Sequence, residues 1–135
     1  MSFKEFDIQE RLSMKNSQGN EDAMRKIDRK KLGKFGEVVA KKYLQECGYR
    51  FVTGNFNCRF GEIDLIFTKG NRLIFCEVKT RTGDNFGNPC ESVNKSKIKH
   101  MKRSALYYMS THDCGMMNPT FDVIEVFINH IENVL

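Results

Sequence analysis

Tryptophan is missing from the 135 residues and proline occurs only twice. Eleven Phe and four Tyr remain to fill a core, so the first absence excludes little. No apolar run approaches the ~20 residues that cross a bilayer as a helix. The opening Met1-Ser2-Phe3-Lys4-Glu5-Phe6-Asp7 mixes acids with bases and shows no apolar signal stretch. These features predict a cytoplasmic protein with no membrane association. Five cysteines (Cys47, Cys58, Cys76, Cys90 and Cys114) form no Cys-x-x-Cys pair and no Cys/His knuckle. That argues against a zinc site or a disulfide framework and for free thiols. The histidines His100, His112 and His130 have no ligand spacing with one another, and the chain has no internal repeat.

The length fits one domain with one core, and the formal net charge is +5. An excess of this size attracts polyanions, and its placement is uneven. Residues 1–28 are polar and carry both signs, with the loose stretch Lys15-Asn16-Ser17-Gln18-Gly19-Asn20. They read as an N-terminal extension, and 29–135 as the folded domain. From Arg29 to Cys47, Leu32, Phe35, Val39 and Tyr43 recur at helical spacing beside a stripe of Gly36, Ala40, Leu44 and Cys47. Gly48 stands where a left-handed stop residue belongs. Glu37 lies mid-helix, beside Gly33 and Gly36, which permit another backbone to come close. Strands are expected over 49–55, 62–68 and 72–80, a glycine-containing loop over 81–89, a helix over 93–109 and a last strand over 120–128. The order α-β-β-β-α-β predicts an α/β fold, a mixed sheet flanked by helices.

Lys69-Gly70-Asn71 between two strands is a hairpin turn signal. With Gly70-Asn71 as the two turn residues, Lys69 pairs with Arg72 and Asp64 falls opposite Glu77. Cross-strand neighbours on one face have Cβ atoms ~4.5–5.5 Å apart, and Lys79, two residues beyond Glu77, shares that face. A slip of one residue would turn Asp64 to the other side. Glu-x-Lys alone fits a solvated strand face. Asp64 inside Ile63-Asp-Leu-Ile-Phe67 and Glu77 between Leu73–Cys76 and Val78 do not, because an unpaired carboxylate among apolar residues is costly. Two facing carboxylates repel unless a proton or cation lies between them. Hard oxygen ligands with open positions suit Mg²⁺ or Mn²⁺, and a lysine beside them neutralises charge developing on a phosphoryl group. The set is coherent for phosphodiester hydrolysis.

The blocks Gly61-Glu-Ile-Asp-Leu-Ile66 and Phe75-Cys-Glu-Val-Lys-Thr-Arg81 resemble the YraN-type family of bacterial proteins. That family is assigned to the PD-(D/E)XK nuclease superfamily, with a restriction-endonuclease-like fold, and is similar to archaeal Holliday junction resolvases. Further matching positions are Gly33-x-x-Gly36-Glu37-x-x-Ala40, Gly48-Tyr49, Asn55-Phe56-x-x-Arg59, Phe86-Gly87-x-Pro89, Lys97 and Phe121-Asp122-Val123, so the likeness runs over about residues 30–127. It implies Asp64 and Glu77 as metal ligands, Lys79 as the catalytic lysine and Glu37 as an accessory acid completing the metal shell. It further implies Mg²⁺ or Mn²⁺ as cofactor, structured DNA as substrate and, by analogy with resolvases, a homodimer. The first ~28 residues and Cys76 depart from the family pattern.

Lys95, Lys97, Lys99, His100, Lys102 and Arg103 stand between Asn94 and Ser104 with no acid among them. Lys95, Lys99 and Lys102 share one helical face, and Ile98, Met101, Ala105 and Tyr108 are expected to face the core. Like charges at helical spacing repel, and a phosphate backbone would relieve them. Arg59 and Arg81, at strand ends, read either as phosphate contacts or as surface ion pairs. Two functions fit: a metal-dependent DNA endonuclease, and a non-catalytic nucleic-acid-binding module on the same fold.

Overall fold

The computed structural model describes the backbone of residues 21–82 and 94–135, and side chains within those ranges from residue 29 onward. Residues 1–20 of the expected extension, and the motif Phe86-Gly87-x-Pro89, lie outside the described residues. Six elements follow in order: α1 (Glu21–Glu46), β1 (Arg50–Cys58), β2 (Gly61–Lys69), β3 (Arg72–Thr82), α2 (Lys95–Thr111) and β4 (Asn118–Ile128). The chain divides into two units, and the second, Lys31–Leu135, contains the sheet, α2 and the part of α1 discussed below. Among the described residues no helix is long and apolar enough to cross a membrane.

Each element ends for a local reason. At the end of α1, Gly48 takes φ 82°. Its N–H donates to Gln45 O at 3.0 Å, and Tyr49 N–H donates to Leu44 O at 2.9 Å. This pair of bonds satisfies the last carbonyls of the helix. Gly70 takes φ 59°, as the first position of a two-residue hairpin loop requires. At the start of α2, the Asn94 side chain accepts from Lys97 N–H at 2.8 Å and caps the helix.

The sheet order is β1-β2-β3-β4, with β1–β2 and β2–β3 antiparallel and β3–β4 parallel. The fold is therefore α/β with a mixed sheet, as the element order implies. Helices cover both faces. Ala40 and Leu44 of α1 pack with Leu65, Phe67, Ile74 and Cys76. Ala105 and Tyr108 of α2 pack with Ile63, Ile66, Leu73 and Phe75 on the other side. Leu73 to Cys76 are buried without alternation, the signature of a strand covered on both faces. Phe67 and Phe75 are fully buried, and truncating either to alanine would cost ~3–5 kcal/mol.

Three sequence expectations need correction here. In α1 the buried stripe is Gly36, Ala40 and Leu44, whereas Tyr43 is 60% exposed. In α2, Ile98 is 41% exposed, and the inward stripe is Met101, Ser104, Ala105 and Tyr108. Adjoining helical stripes differ by one residue, so spacing alone does not say which of them the sheet covers. Among the described residues none would meet a Cβ at Gly33, and Gly36 is in close approach to the Thr80 side chain rather than to a backbone.

Candidate functional site

The site is built where β2 and β3 part. Their ladder runs from Lys69↔Arg72 to Leu65↔Cys76, in the register that the Gly70-Asn71 turn dictates. The next pair would be Asp64 with Glu77, and the ladder stops one pair short of it. Beyond Cys76, β3 continues beside β4 as far as Thr82↔Ile128, while Gly61–Ile63 stays with β1. The two strands are drawn to opposite neighbours, and twist opens a fork between them. Asp64 spans that fork: its Oδ2 accepts Val78 N–H at 2.7 Å. In an unbroken ladder this N–H would meet the Ile63 carbonyl.

The other side of the fork is shaped by Asn55, which has φ 51°. It lies between the paired positions Gly54↔Leu65 and Phe56↔Ile63, and so opposite Asp64. Non-glycine residues in the left-handed region are uncommon, with asparagine the best tolerated. The irregularity coincides with a break in alternation. Ile63 joins the α2-side cluster, whereas Leu65, two residues on, joins the α1 side.

Glu77 is 3% exposed. Its Oε1 lies 3.1 Å from Lys79 Nζ and 3.2 Å from Lys97 Nζ. Its Oε2 is buried and has no hydrogen-bond partner among the described residues. Burial pushes the Asp64 carboxyl up from the ordinary 3.8 to about 6. The Val78 N–H and the Lys97 ammonium pull the other way, and the charges of Glu77 and Glu37 add to the rise. Glu37 arrives from α1, held against β3 at Gly36, where a Cβ would stand 2.9 Å from Thr80 Cβ. Its carboxyl is raised above 4.5, first by burial and then by Glu62. A hydrogen bond from the Asn55 side chain and the nearby Lys34 charge oppose that rise, and Glu77 adds to it.

The four residues expected at the centre are thus neighbours: Asp64, Glu77 and Lys79 at the fork, with Glu37 beside them. Among the described residues no three His, Cys, Asp or Glu side chains converge as a ready-made metal cage. A hard cation that keeps several waters does not need one, because one or two carboxylates suffice. The partnerless Glu77 Oε2 and the half-buried Asp64 carboxylate are oxygens such a cation would take.

The surrounding cations separate into two groups. Lys95, Lys99, Lys102 and Arg103 line, with Ile98 and Leu106, a shallow concavity of about 340 Å³ on the outer face of α2. Lys97 is not with them, since its ammonium is at Glu77. Arg81 faces Glu125, Nε to Oε1 3.9 Å. Arg59 stacks over Phe60 and Tyr107, with centroids 4.7 and 5.9 Å away. The part played by Asn55 has no counterpart in the sequence pattern, since no spacing rule marks a left-handed residue. Of the α2 cations expected at a phosphate backbone, Lys97 instead heads the helical stripe of Met101, Ala105 and Tyr108.

Residues 36–126 match the model of the uncharacterised protein family UPF0102. The chain belongs to this family. It is the YraN family that the Gly61–Ile66 and Phe75–Arg81 blocks resemble. Among its curated relatives, a UPF0102 protein of Caldanaerobacter subterraneus is 42% identical over 106 residues, covering 78% of this chain and 87% of its own length. One from Caldicellulosiruptor saccharolyticus is 38% identical over 109 residues, with 81% and 92% covered. A third, from Clostridium kluyveri, is 43% identical over 105 residues, with 78% and 86% covered. The UPF0102 match spans α1 from Gly36 through most of β4, and therefore every residue of the fork.

Proposed function

We propose that this UPF0102 chain is a metal-dependent endonuclease that hydrolyses phosphodiester bonds in DNA, branched or otherwise structured. The observation that carries the reading is Glu77. A carboxylate 3% exposed, with one oxygen between two ammoniums and the other unpartnered, is a poor structural device and a good ligand. Asp64 and Glu77 would hold Mg²⁺ or Mn²⁺, with Glu37 assisting from α1. Bound there, the cation supplies Lewis acidity toward a phosphodiester and a more acidic water.

The chain's own groups do the rest. Lys79 directs positive charge at the oxygens that become more negative as phosphorus is attacked. Glu37, oriented by Asn55, can hold a water by accepting its proton in a hydrogen bond. The outer cations of α2 contact the phosphate backbone, which positions a duplex without reading its bases. A junction has two symmetry-related scissile positions, so the active unit in this reading is a homodimer.

The test uses labelled four-way junctions, flaps, linear duplex and single strands, with Mg²⁺, Mn²⁺ or chelator, beside Asp64→Ala. Cutting is expected only with metal and is reduced by about a hundredfold or more in the variant. Cleavage that survives both chelator and the substitution sinks the metal site. Binding without cleavage on every substrate assigns the chain a recognition role instead.

A further inference from the structure

Lys97 sits at the head of the inward stripe of α2, followed by the buried Met101, Ser104, Ala105 and Tyr108. A lysine there is unfavourable unless its stem packs and its ammonium reaches an anion. The anion is Glu77, whose Oε1 is 3.2 Å from Lys97 Nζ. The same ammonium also favours the charged form of Asp64, more weakly than the Val78 N–H does. Lys79 also touches Glu77 Oε1, but it comes from the same strand two residues on, and its place is set by β3. Lys97 comes from a different element, through a flexible side chain 36% exposed. Two carboxylates at a strand fork demand positive charge beside them, and Lys97 brings it to Glu77 from outside the hairpin.

We propose that Lys97 is the internal counter-charge to Asp64 and Glu77 in the metal-free protein, holding Glu77 Oε1 until a divalent cation on Glu77 Oε2 and Asp64 repels it. The inference rests on the assignment of Asp64 and Glu77 as metal ligands. Lys97 is then a positioning residue with two settings. In the first it keeps the carboxylates from repelling each other and preserves the fork. In the second its ammonium, displaced by a charge of its own sign, turns outward to the side where a substrate phosphate would approach. Lys97 therefore competes with metal, opposite in sign to what a merely structural lysine would do.

Calorimetric titration of metal-free protein with Mn²⁺, without nucleic acid, tests this. Lys97→Gln should bind Mn²⁺ about five- to tenfold more tightly than the unsubstituted chain, the effect of removing one partly screened competing charge. Lys97→Arg, which keeps the charge, should stay within about twofold of the unsubstituted chain. Equal or weaker Mn²⁺ binding by a folded Lys97→Gln overturns the proposal. Should that variant not fold, lysine side-chain ammonium resonances of the unsubstituted chain decide. Mg²⁺ must shift the Lys97 signal along the same saturation curve as the Asp64 carboxyl, and a Lys97 signal indifferent to metal overturns the idea. An isotherm identical in the unsubstituted chain and Asp64→Ala is a separate result: the ligand assignment fails, and this inference with it.

Discussion

Replacing Asp64 by asparagine should stabilise the metal-free protein, and should do so only above a defined pH. Burial raises the Asp64 carboxyl from the ordinary 3.8 to about 6 in the folded chain. The folded state therefore holds this proton more tightly than the unfolded state does. Below pH ~4 both states are protonated and nothing is lost. As pH climbs from ~4 through ~6 the folded state must surrender the proton, and stability falls to a plateau near pH 7. Each tenfold change in proton affinity is worth ~1.4 kcal/mol, so the undiscounted cost is ~3 kcal/mol. Solvent still reaches part of the carboxylate and screens it, which brings the expected figure to ~1–2 kcal/mol. Asparagine cannot ionise, yet its amide oxygen can accept the Val78 N–H that Asp64 Oδ2 now takes at 2.7 Å. In urea unfolding with chelator, Asp64→Asn and the unsubstituted chain should be equally stable near pH 4. At pH 8 the variant should lead by ~1–2 kcal/mol, roughly 4–8 °C in melting temperature. Mn²⁺ should close or reverse the gap, since ligand binding stabilises only the chain that binds it. A difference that is flat from pH 4 to 8, or a variant less stable at pH 8, would refute the reasoning.

Further substitutions in α1 and at Asn55 separate packing from chemistry. Gly33→Ala should raise stability by ~0.5–1 kcal/mol in thermal unfolding, because no described residue would meet the added Cβ and alanine is the better helix former. Gly36→Ala should lower it by ~1–3 kcal/mol through overpacking against Thr80, and Thr80→Ala should restore part of the loss. Asn55→Gly retains the φ 51° backbone and loses the hydrogen bond to Glu37. It should unfold within ~0.5 kcal/mol of the parent while cutting DNA about tenfold more slowly, whereas Asn55→Ala should lose ~1 kcal/mol as well. Equal cleavage by parent and Asn55→Gly would remove Asn55 from the site.

The hairpin was legible because its turn chemistry and apolar strands allow one register, and the observed pairs from Lys69↔Arg72 to Leu65↔Cys76 obey it. The end of α1 was legible at Gly48 for the same kind of reason, a backbone conformation that few residues adopt. The fork was not, since it arises from competition between β1 and β4 for the two strands of that hairpin. No local pattern records which partner a strand prefers at its far end. The inward placement of Lys97 was not legible, because charge normally marks an outer face. Its position on the stripe of Met101, Ala105 and Tyr108 outweighs its identity once an acid waits across the gap. Asn55 escaped because a left-handed residue within a strand leaves no periodic trace.

The two-residue turn at Gly70-Asn71 has a consequence for how this fold can change. It makes the hairpin a counting device, in which the distance from turn to fork is measured in residues on each arm. Removing one residue from a single arm would miscount, turning every side chain beyond the deletion to the opposite face and carrying Asp64 or Glu77 away from its partner. Removing or adding matched residues on both arms would leave Asp64 and Glu77 at corresponding heights, with only the tip shortened or lengthened. The tolerated length changes in this hairpin are therefore paired ones, and a loop graft at its tip that respects the count should leave the fork untouched.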